Sequence, residues 1–354
     1  GFSGNWDDSP SARGFVPTSG LINFDWTTTT TITTNAGNYF NNLTIGDGTD
    51  TKVVRTNSST AVNVEATLTV ATNGTFEVLA SHSLTLEDVV VNTSGTLTAT
   101  GSAGNDALLG FQTATDASLT VNDGGALTLT GASTSERNAI IRGANASRID
   151  FDIGITNGAT FTGTDFTIEF PDAEGFNLTG SILPTIARGT FDEPFAAGCL
   201  LNFVDQLNLP TSIDGCIFNN AALNAKNVKA NDNTASNTDN SVSFVNFSGD
   251  LCGGDPGIAG DNSTNPSAEF FDEETTEGHI EWFNNIYYSV AGDDGVSPSA
   301  NFGGVLSNFW SQQDGDGFQA PLSALTNSEV IFRIEATTMV TDDDWTIAGN
   351  LELL

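Results

Sequence analysis

The segment Gly124-Gly125-Ala126-Leu127-Thr128-Leu129 consists of a glycine turn followed by alternating apolar and threonine residues. Such alternation is typical of a strand that is buried on one face. Glycine supplies the positive φ that a tight turn requires. Variants of this unit precede it at Asn73-Gly74-Thr75-Phe76-Glu77-Val78 and at Ser94-Gly95-Thr96-Leu97-Thr98. Repeated units of turn and strand predict a solenoid.

Phenylalanines repeat at a similar interval in the second half of the chain. Five of them recur at nearly equal steps along the sequence: Phe166, Phe191, Phe218, Phe244 and Phe270. A coil places equivalent side chains above one another, which favours an internal stack of these rings, although chance spacing among 24 phenylalanines is the alternative. We predict an all-β, right-handed parallel β-helix with about 20–33 residues per rung, plus a smaller C-terminal β segment.

A second repeat extends over a longer range. Trp310 follows Trp6 by the same offset that separates Pro321 from Pro17, and both copies continue into a β-rich run ending Asn-Leu-x-aliphatic. We interpret residues 1–286 as one β-helix module and residues 287–354 as the start of a second tandem module. Both ends of the chain are expected to be cuts in a longer polypeptide.

The charge balance restricts the partners. The chain has 44 Asp and Glu against 10 Lys and Arg, a formal charge of −34. Such a surface repels nucleic acids and anionic lipids, and it repels polyanionic glycans unless divalent cations bridge the two. We expect neither a nucleic-acid partner nor membrane insertion, since no apolar run is long enough to span a bilayer. Abundant Thr, Asn, Ser and Gly with little Lys, Met and His is typical of extracellular bacterial proteins.

Four segments resemble units of the very large, repetitive cell-surface proteins of the Bacteroidota, which are β-helix proteins of the adhesin and gliding type. The segments are Gly4-Asn5-Trp6, Pro17, Asn42-Leu43-Thr44-Ile45-Gly46-Asp47-Gly48-Thr49 and Gly95-Thr96-Leu97-Thr98. The resemblance covers residues 1 to about 130 and part of residues 300–354. It implies export to the cell surface and a role in adhesion or gliding, and it assigns no catalytic residues.

Glycan-cleaving β-helices require paired carboxylates or a basic residue beside bound Ca²⁺. Asp150 and Asp152 flank Phe151 on one strand face, and an acidic run lies near His279: Glu273, Glu274 and Glu277. Solvated carboxylates are the favoured interpretation of both groups. Three arginines either form a cationic groove or pair with Glu136 and Asp150, of which pairing is favoured: Arg137, Arg142 and Arg148. We therefore predict that the chain is not an enzyme.

The sequence contains few residues that could support metal or thiol chemistry. With only His82 and His279, a zinc site or a histidine triad is not expected. Acidic turns suit Ca²⁺, which takes oxygen ligands, and the candidate ligands are Asp314 and Asp316, with solvated acidic turns as the alternative. Similar turns occur at Asp47-Gly48-Thr49-Asp50 and Asp342-Asp343-Asp344. Buried thiols are expected at three positions, with one disulfide left open: Cys199, Cys216 and Cys252.

These observations favour a non-catalytic structural and adhesive segment of a secreted bacterial cell-surface repeat protein. The expected partners are tandem neighbouring modules of the same polypeptide and, outside the protein, surface glycans or other cells. Two alternatives remain open. One is a glycan-binding or glycan-cleaving β-helix, and the other is a subunit of a self-assembling extracellular filament or sheath.

Overall fold

The computed structural model describes residues 5–8, 19–57, 60–112, 117–144, 150–180, 184–193, 198–204, 212–219, 226–231, 242–249, 272–274, 280–283, 286–289, 305–310, 319–321, 329–332 and 351–353. Nearly all of these residues lie in short strands or in the turns between them. Within this part of the chain no helix is long and apolar enough to cross a membrane.

Three sheets form the body of the protein, and their strands are numbered in chain order. The first sheet has 11 strands: β1 (Trp6–Asp7), β3 (Thr30–Thr33), β5 (Lys52–Thr56), β8 (Gly74–Leu79), β11 (Thr96–Thr100), β14 (Ala126–Thr130), β17 (Thr160–Thr164), β20 (Thr185–Ala187), β23 (Ser212–Asp214), β26 (Val242–Val245) and β29 (Ile280–Phe283). The second has 10: β2 (Leu21–Phe24), β4 (Asn42–Ile45), β7 (Thr67–Val70), β10 (Asp88–Val91), β13 (Ala117–Val121), β16 (Phe151–Ile155), β19 (Phe176–Thr179), β22 (Cys199–Val204), β25 (Lys226–Asn231) and β28 (Asp272–Glu274). The third has 8: β6 (Val62–Asn63), β9 (His82–Leu86), β12 (Ala107–Phe111), β15 (Ala139–Gly143), β18 (Phe166–Glu169), β21 (Thr190–Asp192), β24 (Ile217–Asn219) and β27 (Ser248–Gly249).

The strands β1 to β4 alternate between the first and second sheets, and from β5 onward the chain visits the three sheets in rotation and returns to each one a rung later. Every strand pairing within these sheets is parallel; for example, Val54 of β5 pairs with Phe76 of β8, which pairs with Leu97 of β11. Parallel strands need a crossover connection, and here the strands of the other two sheets form it. The predicted parallel β-helix is confirmed.

The length of a rung varies along the coil. Most pairings, such as that of Phe76 with Leu97, fall within the predicted interval. Longer rungs also occur. They include those that separate Leu127 from Phe161, Phe244 from Trp282 and Val228 from Asp272. Only the strands must stack, so the connections absorb the additional residues.

The interior of the coil is filled by the apolar half of each alternating strand. In β14, Leu127 and Leu129 are fully buried whereas Thr128 faces outward. The buried residues form one continuous core that extends from Phe24 to Phe244. Full burial of a leucine side chain contributes about 1.5–3 kcal/mol to the stability of the fold. The alternation read from the sequence thus specifies which side chains face inward.

Stacked turns form the corners between the second and first sheets. The predicted turn residues Asn73, Ser94 and Gly124 all have positive φ, and so does Gly158 in the next rung. The backbone N–H of Asn73 donates to Ser94 O at 3.2 Å, that of Ser94 to Gly124 O at 2.7 Å, and that of Gly124 to Gly158 O at 3.1 Å. Turns of successive rungs are therefore hydrogen-bonded to each other, as the strands are.

A separate five-stranded sheet follows the coil. Its strands are β30 (Ile286–Ser289), β31 (Val305–Trp310), β32 (Gln319–Pro321), β33 (Glu329–Phe332) and β34 (Leu351–Leu353). The order is β32-β31-β30-β33-β34, with β31 antiparallel to both of its neighbours and the other two pairings parallel. This sheet is the predicted smaller C-terminal β segment, and its first strand begins at Ile286.

Candidate functional site

Four of the five evenly spaced phenylalanines lie inside the coil. Phe166, Phe191, Phe218 and Phe244 are at most 1% exposed. Consecutive rings have centroids 5.7, 5.5 and 5.8 Å apart. Phe244 belongs to the first sheet and the other three to the third, so the rings meet across the interior rather than in a single vertical column. Phe270 lies outside the described residues.

The arginines named from the sequence do not form a groove in the part of the chain that the structure describes. Arg137 reaches along the coil, where Nη1 donates to Gly189 O at 2.7 Å and Nη2 donates to Gly215 O at 2.8 Å. Arg142 pairs with Glu169 at 3.3 Å. Arg148 lies outside the described residues. Arg137 thus joins its own rung to two later rungs through the backbone carbonyls of Gly189 and Gly215. The residues next to Arg137 in the sequence give no indication of these contacts.

Glu136 and Asp150, the expected partners of these arginines, have other surroundings. Glu136 Oε2 accepts a hydrogen bond from the Gly104 backbone N–H at 2.7 Å. Asp150 is exposed just before β16. Arg137 and Arg142 therefore bind residues other than the predicted partners, because their neighbours in space come from other rungs.

Asp152 and Asp172 form a pair of carboxyl groups on the outside of the second sheet. Burial raises the pKa of Asp172 to about 7, together with a side-chain hydrogen bond to Asp152 and the negative charge of Asp152. Asp172 Oδ1 also accepts backbone hydrogen bonds from Glu174 and Gly175 at 3.0 and 3.1 Å. The partner of Asp152 is consequently Asp172, which lies shortly before β19, the strand that pairs with β16.

The remaining acid and histidine candidates are only partly described. Glu273 and Glu274 lie in β28, whereas Glu277 and His279 fall outside the described residues. His82 Nδ1 lies 2.9 Å from Thr56 Oγ1, and burial lowers the pKa of His82. His82 is therefore a hydrogen-bonded side chain at the edge of the interior.

Acidic turns were the candidate metal sites. Asp47 Oδ1 accepts hydrogen bonds from the backbone N–H and hydroxyl of Thr49 at 2.9 and 2.7 Å, and these bonds lower the pKa of Asp47. Asp314 and Asp316 lie outside the described residues, as do residues 342–344. Among the residues that the structure does describe, no group of three or more His, Cys, Asp or Glu side chains is arranged to hold a metal ion.

Two of the three cysteines are described, and both are buried. Cys199 Sγ donates to Glu174 O at 3.0 Å. Cys216 is 1% exposed, and burial raises the pKa of its thiol to about 12, so it stays protonated. Cys252 lies outside the described residues. A protonated, buried thiol acts as a small apolar side chain.

The most regular surface of the coil is the outer face of β11, β14 and β17. Eight of its nine outward positions are threonine and the ninth is Ala126. We call this surface the threonine face; its residues are Thr96, Thr98, Thr100, Thr128, Thr130, Thr160, Thr162 and Thr164. None of the nine positions carries a charge, although the chain has 44 acidic residues.

The strand register turns these threonines into a two-dimensional array. Thr98 pairs with Thr128, which pairs with Thr162, and Thr100, Thr130 and Thr164 form a parallel column. Neighbouring threonines within a column are separated by the strand spacing of about 4.8 Å, and outward-facing residues along one strand are about 6.6 Å apart. The central column continues to Thr185 on β20.

The hydroxyls of the threonine face are available for binding. None of the eight makes a side-chain hydrogen bond within the described residues, unlike Thr156 and Thr167, whose hydroxyls donate to backbone carbonyls at 2.9 and 2.8 Å. Each threonine presents one donor, two acceptor lone pairs and a methyl group. Sequence reasoning recognised these threonines as the outward half of the strands, but not as a surface, because the array depends on register.

The comparisons with known proteins assign no family. No protein-family model matches the chain, no curated protein matches it, and no solved structure matches it.

Proposed function

We propose that the chain is a non-catalytic structural and adhesive segment of a secreted bacterial cell-surface repeat protein, and that it adheres through the threonine face. The observation that carries this proposal is the uncharged, registered array of unpaired threonine hydroxyls on a strongly acidic protein. Location at the cell surface is supported by composition and by the resemblance to Bacteroidota surface proteins.

The coil supplies the structural part of this function. The strands of each rung pair only with those of the rungs before and after it, so stability and length grow as rungs are added. The continuous core and the hydrogen-bonded corners extend this additivity along the described coil. An elongated body of this kind holds a side face at a fixed orientation over several rungs.

The ligand that suits the threonine face is a neutral polysaccharide surface. A net charge of −34 disfavours approach to polyanions, whereas the face itself adds no charge. Sugar rings present hydroxyls beside C–H groups, the same combination that each threonine offers. Each contact is weak, but a repeated array engages many at once, and multivalency raises the overall affinity.

Adhesion is tested with beads that carry the chain at equal density. The probes are insoluble cellulose and chitin, with alginate as the anionic comparison and albumin-coated beads as the background. The triple variant Thr98→Val, Thr128→Val and Thr162→Val removes one column of hydroxyls while keeping β-branched side chains. Retention under flow should fall by about tenfold if the array binds as a unit.

A matched control comes from the second sheet, where Thr44, Thr69 and Thr120 also face outward. Their replacement by valine should leave retention unchanged. Equal loss in both triple variants, or retention no higher than that of albumin-coated beads, would overturn the adhesive proposal. Release of reducing or unsaturated ends from the same polysaccharides would instead establish the glycan-cleaving alternative.

A further inference from the structure

The first strand of the second sheet has an open edge. Among the described strands, β2 pairs only with β4. The Asn42 backbone N–H donates to Gly20 O and that of Gly46 donates to Phe24 O, so the even-numbered positions of β2 bond to β4. In a parallel ladder the backbone N–H and C=O groups of the alternate positions point away from that partner strand. The backbone groups of Leu21 and Asn23 therefore face the open edge.

Apolar surface lies next to this edge. Leu21 is 61% exposed and Trp26 is 51% exposed, although both are large apolar residues. Exposed apolar side chains beside an unpaired strand are typical of a surface to which another strand is added. The open edge of β2 is therefore a candidate surface for the addition of another strand.

The C-terminal sheet contains a second version of the same strand pair. In the first, Ile22 pairs with Leu43 and Phe24 with Ile45. In the second, Val330 of β33 pairs with Leu351 of β34, and Phe332 with Leu353. Both pairs are parallel, the partners are equally far apart in the sequence in both, and one constant offset relates all four positions of the second pair to those of the first. The paired residues also match in type, Phe24 with Phe332 and Leu43 with Leu351, and this match together with the register identifies β33 as the counterpart of β2.

The counterpart strand has an occupant on the edge that β2 leaves open. On the side away from β34, β33 pairs in parallel with β30, so that Ile286 lies opposite Glu329, Tyr287 opposite Val330, and Tyr288 opposite Ile331. The strand β30 begins shortly after β29, the last strand of the coil. The end of one module thus pairs with the β2 counterpart that follows it.

The correspondence does not extend to the tryptophans. Trp6 lies in β1, which is parallel to β3, whereas Trp310 lies in β31, which is antiparallel to β30 and β32. The shared offset of these tryptophans therefore does not reflect equivalent strand pairing, and the β2/β4 register is the part that repeats.

We propose that the open edge of β2 binds the strand Ile286–Ser289 of a second copy of this module, in parallel and with Tyr287 opposite Ile22. This inference rests on the repeat organisation in the proposed function. The junction between modules is then strand addition, in which main-chain hydrogen bonds provide affinity. It also covers Leu21, because the added strand lies on that side.

The test is a tandem chain in which Asn308 of one copy is joined to Gly1 of a second, complete copy. This keeps the spacing between β30 and the following β2 that the natural chain has between β30 and β33. The substitution Asn23→Ala in the second copy changes the mass of the peptide that contains β2, so that the two copies can be told apart. It keeps the backbone N–H of residue 23. Hydrogen exchange of the segment around β2 should be about tenfold or more slower in the second copy than in the first.

Asn23→Pro in the second copy removes a backbone donor at the open edge without removing one that bonds to β4. It should abolish the protection, while the exchange of β7 and β10 in that copy shows that the coil is still folded. Equal exchange of β2 in the two copies of the Asn23→Ala chain would overturn the proposal. The bead assay does not involve β2, so failure here and failure of the adhesive function are distinguishable.

Discussion

Phe191 and Phe218 lie directly opposite each other in β21 and β24, with ring centroids 5.5 Å apart and ring planes 15° from parallel. The sequence between them makes one turn of the coil. Phe166 is displaced from this column along its strand, because Ile168 rather than Phe166 pairs with Phe191. Among the four evenly spaced phenylalanines that the structure describes, the rings therefore form a connected cluster with one aligned pair.

Replacing Phe218 by alanine should lower the free energy of unfolding by about 3–5 kcal/mol, the usual cost of truncating a buried aromatic residue. The ring is 0% exposed and contacts Phe191 and Phe244. Urea unfolding followed by circular dichroism measures the change. Asn219→Ala, in the same strand, is the control and should change stability by less than about 0.5 kcal/mol. A loss below about 1 kcal/mol for Phe218→Ala would contradict the observed packing.

Arg137→Ala should destabilise the coil by about 2–3 kcal/mol, because hydrogen bonds to charged groups are strong and the carbonyls of Gly189 and Gly215 lose their donor. Arg137→Lys keeps the charge but not the two-pronged geometry, so it should rescue only part of the loss. Arg55→Ala is the comparison. Arg55 pairs with Glu77 on the surface, where ion pairs contribute about 0–1 kcal/mol. Equal losses for Arg137→Ala and Arg55→Ala would refute the bridging role.

Stability should fall as the pH rises through neutrality because of Asp172. Its folded pKa, about 7, lies above the ordinary value of 3.8, so the folded state binds the proton more tightly. The stabilisation is complete below the ordinary pKa and is lost as the pH rises through about 7. Melting temperatures at pH values from about 5 to about 9 reveal this slope, and Asp172→Asn should flatten it.

Asp47→Asn is the control for this pH dependence. Hydrogen bonds lower the pKa of Asp47, so any contribution of this carboxylate is present above the ordinary pKa and disappears only in acid. The slope near pH 7 should therefore be the same as in the unmodified chain. A slope that persists in Asp172→Asn would show that another group titrates there.

Calcium should raise the melting temperature if Asp314 and Asp316 hold it, because a ligand that binds only the folded state stabilises that state. Carboxylates close together on a turn repel one another unless a cation intervenes. The comparison is millimolar Ca²⁺ against chelator at matched ionic strength. The double variant Asp314→Asn and Asp316→Asn should remove the difference. An identical melting curve in both conditions would exclude calcium stabilisation of this chain.

The strands and the corners were predictable from the sequence because both are set locally. Alternation determines which side chains of β14 face inward, and residues that tolerate positive φ occur where Ser94 and Gly124 turn the chain. The candidate sites were less predictable. Asp152 was interpreted as a solvated carboxylate beside Asp150, whereas its side chain is hydrogen-bonded to Asp172.

A parallel coil of short strands, a buried apolar row and an acidic surface can be predicted from the sequence alone, since each depends on neighbouring residues or on composition. The folded coil was needed to show which rungs adjoin, and hence that eight threonines form one face and that Arg137 reaches Gly215. The physical reason is that register is fixed by the stacking of whole rungs. Connections of unequal length leave Phe76 and Leu97 much closer in the sequence than Val228 and Asp272, although both are paired, and no local pattern encodes these intervals.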